Sequence, residues 1–499
     1  MLDLSTCKAL RQLPAEVTRL PHLEELILDG CRHLLHLPAD LGQLRSLVAL
    51  DLSMCTSMTA LPESLAELPE LRVLSLYTCT GLATLPAGIG HLPHLHTLNV
   101  SYCKRLQLPA NIGQLRSLRN LRMPASMRSV DLPPAVGQMT GLRTLIIGNS
   151  RLQHLPALCS LQLTELYIEC PRLRHVSPAL GQLTRLASLT VFECKSLTAL
   201  PDVFGSLGSL SILKLDGARA LASLSPSIGE LNSLTTLSLS SCERLTGLSF
   251  ALTQLTALMA LSLRDCKALA RLPAGVEQLT SLSELGLGGC PALLSTLPPA
   301  MAKLPCPTSL IVGPSPDLTA APMPISYLAA LTSLNFYFCA KLSLLPPALC
   351  TLPALRSLQF SQCPKLTALP AEIGGLSSLE VLCIRSCDSF RLLPESLGHL
   401  AELRVLDLHL CPSLQTLPHS LNRLVRLERL KLAYDGTSRS QWCSSLVQAN
   451  DALREWASAL FVLILHGRHA PRNPRLPPEL WDLIRLTLVW SQPARHMPP

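Results

Sequence analysis

Leucine recurs along this chain in a fixed frame. In Leu47-Val-Ala-Leu50-Asp-Leu52-Ser-Met-Cys55 the apolar side chains take the first, fourth and sixth places and a cysteine takes the ninth. Leu23, Leu26, Leu28 and Cys31 repeat the frame before it. Leu71, Leu74, Leu76 and Cys79, then Leu95, Leu98, Val100 and Cys103, repeat it after. Equivalent residues are 24 apart. The Leu-x-Leu core alternates, which predicts a short strand with its leucines on one face and its x residues on the other. The segment after the cysteine closes on Leu-Pro, as in Leu37-Pro38. Proline fixes φ and removes a donor, so pairing stops there and the chain turns. Next comes a piece such as Leu41-Gly-Gln-Leu44, whose leucine spacing of three predicts a short helix or 3₁₀ turn. A unit this small cannot bury its own apolar face, so the period predicts stacked coils.

A partial first unit (Leu2, Leu4, Cys7) is followed by roughly 18 more. Two stretches break the rhythm. Between Leu118 and Pro171 the step shortens, Ser126 and Ser150 stand where the cysteine belongs, and the ladder shifts to Cys170. Between Pro305 and Pro324 six prolines predict one distorted coil, because proline weakens strand pairing. After Tyr434 the period is lost. Residues 1–435 are therefore expected to form the solenoid, and 436–499 a linker and a helical C-terminal segment. Pro471 and Pro474 divide that segment, and Leu476-Pro-Pro-Glu-Leu480-Trp-Asp-Leu-Ile484 has the proline and acid of a helix start.

Repeats such as Leu74-Ser-Leu-Tyr-Thr-Cys79-Thr-Gly-Leu82-Ala-Thr-Leu85-Pro86 resemble the leucine-rich repeat family, in the 24-residue form similar to the repeat region of plant disease-resistance receptors. The resemblance covers residues 1 to about 435. It implies an α/β solenoid: a horseshoe with a concave parallel β-sheet, short helices or 3₁₀ turns outside, and a small helical segment at the C-terminus. It also implies a role in sensing, defence-like signalling or scaffolding. Leu476, Pro477, Leu480 and Trp481 read as part of a helical cap. They also resemble the opening of an F-box, which implies docking to a ubiquitin ligase as a substrate adaptor.

Aromatic residues make up only 4% of the chain, so aliphatic leucine must build the core. The net charge of +8 is spread over 499 residues without a basic run, which gives no footprint for nucleic acid or an anionic membrane. No apolar run approaches the roughly 18 residues of a membrane span, and no leader is evident, so a cytoplasmic protein is expected. Most of the 19 cysteines fall on the single ladder position, which is the mark of a packing site. A free thiol is small and apolar, and its weak S–H can serve the neighbouring backbone. No Cys-x-x-Cys pair points to zinc. No phosphate-binding loop, Gly-x-Ser-x-Gly or His-Glu-x-x-His occurs, so no catalytic residue, cofactor or metal site is expected.

The outward x positions are the informative ones, since core packing does not dictate them. Tyr77, Tyr102, Tyr167, Tyr337 and Tyr434 fall there, with Phe192 and Phe338. Aromatic side chains on an exposed wall are the usual anchors of a binding surface. Charges of both signs accompany them, among them Asp51, Glu169 and Asp407 against Arg122, Arg264 and Arg385. A mixed face suits a protein or peptide partner rather than a nucleic acid.

Overall fold

The computed structural model describes residues 1–432, except 124–131, 149–150, 156–157, 159–160, 295, 305–308 and 415. The segment expected at 436–499 lies outside the described residues, as do Ser126, Ser150, Pro305 and Pro307. The chain divides into two compact units, Met1–Leu279 and Thr280–Pro499.

In the first unit one strand per coil lines up in parallel. These strands are β1 (Leu2–Asp3), β2 (Glu25–Ile27), β3 (Ala49–Asp51), β4 (Val73–Ser75), β5 (Thr97–Asn99), β6 (Asn120–Arg122) and β7 (Thr144–Gly148). A separate short pair, β8 (His154–Leu155) and β10 (His175–Val176), flanks β9 (Glu165–Glu169) in sequence. The main row continues through β11 (Ser188–Val191), β12 (Ile212–Lys214), β13 (Thr236–Ser238) and β14 (Ala260–Ser262). Equivalent leucines face each other from coil to coil: Leu26 with Leu50, Leu50 with Leu74, Leu74 with Leu98. The short steps around β7 and β9 do not break this register, since Leu121 meets Leu145 and Leu145 meets Leu166.

The second unit repeats the arrangement with β15 (Glu284–Gly286), β16 (Ser309–Ile311), β17 (Ser333–Tyr337), β18 (Ser357–Ser361), β19 (Val381–Arg385), β20 (Val405–Leu408) and β21 (Arg429–Leu432). The proline-rich coil expected to distort keeps its strand in register, with Leu310 between Leu285 and Leu334.

The leucines between strands fill the interior. Leu23, Leu26, Leu28, Leu34, Leu41 and Leu44 are all buried, as are most of their counterparts in later coils. Leu421, Leu427 and Leu430, near the end of the second unit, are half-buried. The helix-or-3₁₀ expectation resolves to 3₁₀: pieces such as Glu63–Glu67 and Ala110–Gln114 stack on one another rather than on the strands. Proline leads into most of them at φ near −65°, its own ring value, as at Pro62. Ser177, Ser225 and Ser249 take the same backbone conformation, and each hydroxyl accepts the N–H two residues on. Glycine lets these turns approach closely: a Cβ on Gly229 would stand 2.5 Å from the Ala251 carbonyl oxygen.

In most coils the chain leaves the strand through one residue in the left-handed region, directly before the ladder position, though not at Glu169 before Cys170. Thr6, Met54, Thr78, Tyr102, Glu193, Ser241 and Asp265 hold φ between 51° and 61° there in the first unit, and Gly30 and Gly217 fill the same place. In the second unit Phe338, Gln362, Ser386 and Leu410 do so. The backbone N–H of this residue donates to the next coil, as from Met54 to the Tyr77 carbonyl (2.6 Å) and from Thr78 to the Ser101 carbonyl (2.8 Å). The cysteine that follows turns the other way. Its Sγ–H donates to a carbonyl 27 residues back: Cys55 to Leu28 (3.3 Å), Cys79 to Leu52 (3.0 Å), Cys103 to Leu76 (2.9 Å). The cysteine ladder is thus a set of hydrogen bonds as well as a packing row.

Two expected outcomes test this turn. Burial pushes the thiols of Cys55 and Cys103 up to about 12 and about 11, while Cys7 is exposed. At mildly alkaline pH, iodoacetamide therefore labels Cys7 rapidly and Cys55, Cys79 and Cys103 only after unfolding, as read by peptide mass mapping. A Cβ on Gly217, at φ +76°, would meet the Glu193 Oε1 at 2.8 Å and its Cα at 3.0 Å. Gly217→Val should cost about 1–3 kcal/mol in urea unfolding, whereas Thr78→Gly should not lower the midpoint.

Candidate functional site

The strand face of the first unit carries a hollow of about 300 Å³. Tyr77, Ser101 and Tyr102 form one wall, and Tyr167 and Glu169 the other. The floor is Arg122, Met123, Ile146 and Gly148. These residues come from the consecutive coils of β4, β5, β6, β7 and β9. Four steps of about 4.8 Å make the hollow roughly 19 Å from wall to wall.

Backbone position explains each side chain. Tyr77 lies two residues before Cys79, just past β4, and is 39% exposed. Tyr102 is not a strand residue: it is the left-handed residue before Cys103, at φ 60°. That turn swings its ring back toward Tyr77, and the two meet edge to face with centroids 5.5 Å apart. On the far side Tyr167, in β9, lies beside Phe192, with centroids 6.4 Å apart. The Tyr167 hydroxyl donates to the Glu169 carboxylate at 3.5 Å. Partial burial, and then the charge of Glu169, push its phenol up to about 12, so at neutral pH it stays protonated as a donor.

Gly148 was no part of the sequence expectation, and it shapes the floor. A Cβ built on it meets nothing within 4 Å. It is the strand residue opposite Glu169, at the end of β7. Ile146 and Ser101 were also missed. A partial signal was present in the sequence. The floor and the far wall, from Arg122 to Glu169, fall in the irregular stretch between Leu118 and Pro171, where the ladder cysteine is replaced, whereas Tyr77, Ser101 and Tyr102 precede it.

In the second unit Tyr337 and Phe338 repeat the Tyr77–Tyr102 pairing within one coil, edge to face at 5.5 Å. Phe338 occupies the left-handed position at φ 55° and is 48% exposed. Arg264, in the first unit, is exposed but does not line the hollow. Arg385 is engaged inside its own unit: its Nε and Nη2 donate to Asp407 at 3.0 and 2.6 Å. Asp407 is 1% exposed, accepts the His409 N–H as well, and has Lys431 at 3.6 Å. Asp51 likewise accepts the Ser53 N–H. Asp51 and Asp407 therefore hold strand ends rather than wait for a partner. Tyr434, Leu476, Pro477, Leu480 and Trp481 lie outside the described residues.

Among the described residues no cluster of three or more His, Cys, Asp or Glu could hold a metal ion. Among the same residues no helix is long and apolar enough to cross a membrane.

Comparison with known proteins bears on the repeat. A family model described as a leucine-rich repeat region matches residues 63–170 and 315–488. Among solved structures, a leucine-rich repeat protein of Leptospira interrogans is 23% identical with a TM-score of 0.50, covering 86% of this chain and 96% of that one. The plant peptide hormone receptor RGFR1, solved with RGF2, is 19% identical with a TM-score of 0.36, covering 87% and 88%. A domain of InlJ from Listeria monocytogenes, which includes a cysteine ladder, is 18% identical with a TM-score of 0.36, covering 68% and 63%. No curated protein matches the chain. The likeness to the Leptospira protein concerns the fold alone.

The contrast between the two arginines can be measured. Arg385→Ala strips the two donors nearest a buried carboxylate and should destabilise the chain by about 1–3 kcal/mol in urea unfolding. Arg264→Ala, at an exposed site, should stay within about 0.5 kcal/mol of the parent.

Proposed function

This chain belongs to the leucine-rich repeat family, and on that premise we propose that it is a non-catalytic recognition module that binds a protein or peptide on its strand face. Repeats of this family generally serve as protein–protein interaction modules. One observation carries the reading further: the Tyr77–Tyr102 pair and Tyr167, the latter beside Phe192, line a hollow whose floor opens over Gly148. Rigid, half-exposed aromatic rings give large contact area at low entropic cost. The hydroxyls of Tyr77, Tyr102 and Tyr167, with Ser101 and Arg122, supply the few convergent polar groups that orient a ligand.

The Tyr337–Phe338 pair of the second unit offers a further contact patch, and Arg264 an exposed charge. The resemblance to intracellular immune receptors and the row of free thiols support a cytoplasmic setting and a role in sensing or scaffolding.

The test fills the hollow. Peptides selected from a phage-displayed random library on the full chain should bind Gly148→Trp at least about tenfold more weakly, ~1.4 kcal/mol. Tyr77→Ala combined with Tyr102→Ala should act in the same direction. Both variants should melt within about 2 °C of the parent, since neither change touches the buried core. Selected peptides that bind both variants as tightly as the parent would remove the hollow from the account.

A further inference from the structure

We propose that the peptide seated in this hollow presents an acidic side chain to Arg122 and, about three to four residues away, a basic side chain to Glu169. The inference rests on the binding reading above and adds the chemistry of the occupant.

Arg122 is an exposed guanidinium in the floor of the hollow. Arg72 with Glu70 and Lys195 with Glu193 pair within a coil, two residues apart. The residues two away from Arg122, Asn120 and Pro124, carry no charge. Most ion pairs elsewhere on the molecule join neighbouring coils. Arg356 pairs with Glu380, Arg404 with Glu428 and Lys341 with Asp317, each 24 residues apart. Arg385 reaches Asp407 across 22. The corresponding neighbours of Arg122 are Asn99 and Ile146, which face it in register. Neither can neutralise it, and among the described residues Arg122 has no ion pair. A guanidinium flanked by tyrosine rings keeps more of its field than one in open water, and its planar fork suits a carboxylate.

Glu169 supplies the opposite sign in the other wall, where it already orders the Tyr167 hydroxyl. Arg122 is on β6 and Glu169 on β9, with β7 between them in the paired row. Arg122 is in register with Tyr167, so Glu169 lies two residues further along the strand direction. Two strand spacings and that offset make about 12 Å on the diagonal, and an extended chain covers about 3.3 Å per residue, so about three to four residues span it. The two charges therefore match an acid and a base about three to four residues apart on a peptide laid across the strands. A peptide of uniform charge would place one of its ends against a like charge, which disfavours it.

The experiment uses the full chain and the peptides selected from the random library. The expected result is enrichment of Asp or Glu about three to four positions from Lys or Arg. By fluorescence anisotropy, Arg122→Glu should weaken those peptides at least tenfold and Arg122→Gln less. Exchanging the peptide's acid for Lys should restore binding to Arg122→Glu. Glu169→Arg should be rescued in turn by exchanging the peptide's base for Glu. Circular dichroism melting checks that each variant folds, and Arg122→Gln carries the test if Arg122→Glu does not. Peptides that are blocked by Gly148→Trp yet indifferent to every charge change would overturn this inference and leave the hollow as a binding site. Peptides indifferent to Gly148→Trp would overturn both.

Discussion

The structure depends on one turn, made at the end of most of the described strands. A single left-handed residue sends its N–H forward to the next coil, and the cysteine after it sends its Sγ–H back to the previous one. Each such coil is thereby tied to both neighbours by groups that would otherwise be buried without partners, a loss of about 1–3 kcal/mol apiece. A non-glycine residue in that conformation costs about 1–2 kcal/mol. The chain accepts this at Met54, Thr78, Tyr102 and their counterparts because leucines on both sides of the turn are fully buried and leave the backbone no alternative.

Because the turn fixes the coil-to-coil step, one position in the repeat becomes one row on the surface. The inner rows are uniform: Leu, Leu, Cys. The outer rows are free to vary, and function is confined to them. Where the ladder cysteine gives way, between Leu118 and Pro171, the rows also change character. Ile146 stands in the row that holds Asp51, Ser75 and Asn99 on β3 to β5, Gly148 stands in the row of Tyr77 and Ser101, and tyrosines rise on either side. Gly148 illustrates the point most simply, since its contribution is the space its missing side chain leaves open.

The inner rows were legible in the sequence because burial leaves so few acceptable side chains. The period, one strand per coil and a short helix or 3₁₀ turn after the proline follow from leucine, proline and cysteine spacing alone, and the structure resolves the last to 3₁₀. The left-handed position was not legible, because it shows its backbone through no preferred residue: threonine, methionine, tyrosine, glutamate, leucine and glycine all occupy it. For that reason Tyr102 and Phe338 read as strand residues when they belong to the turn. Asp51 and Asp407 read as free surface acids for a related reason. Their hydrogen bonds to the N–H two residues on are local, and nothing in the hydrophobic pattern marks them.

Charge on the outer rows sorts itself by the same period. Most of the ion pairs join an acid or base to its opposite on the next coil, 22 or 24 residues away, and two join residues two apart within a coil. Asp407 finds Arg385 behind it and Lys431 ahead, so its charge is settled within the fold. Arg122 looks to Asn99 and Ile146 and is left with its full charge on the open face. A neutralised pair already has what it needs, and a partner would have to break it to use it. An unmatched charge in a hollow with aromatic walls gains from any complementary group that arrives. Pairing across the period therefore separates the charges that hold this protein together from those it can offer to another.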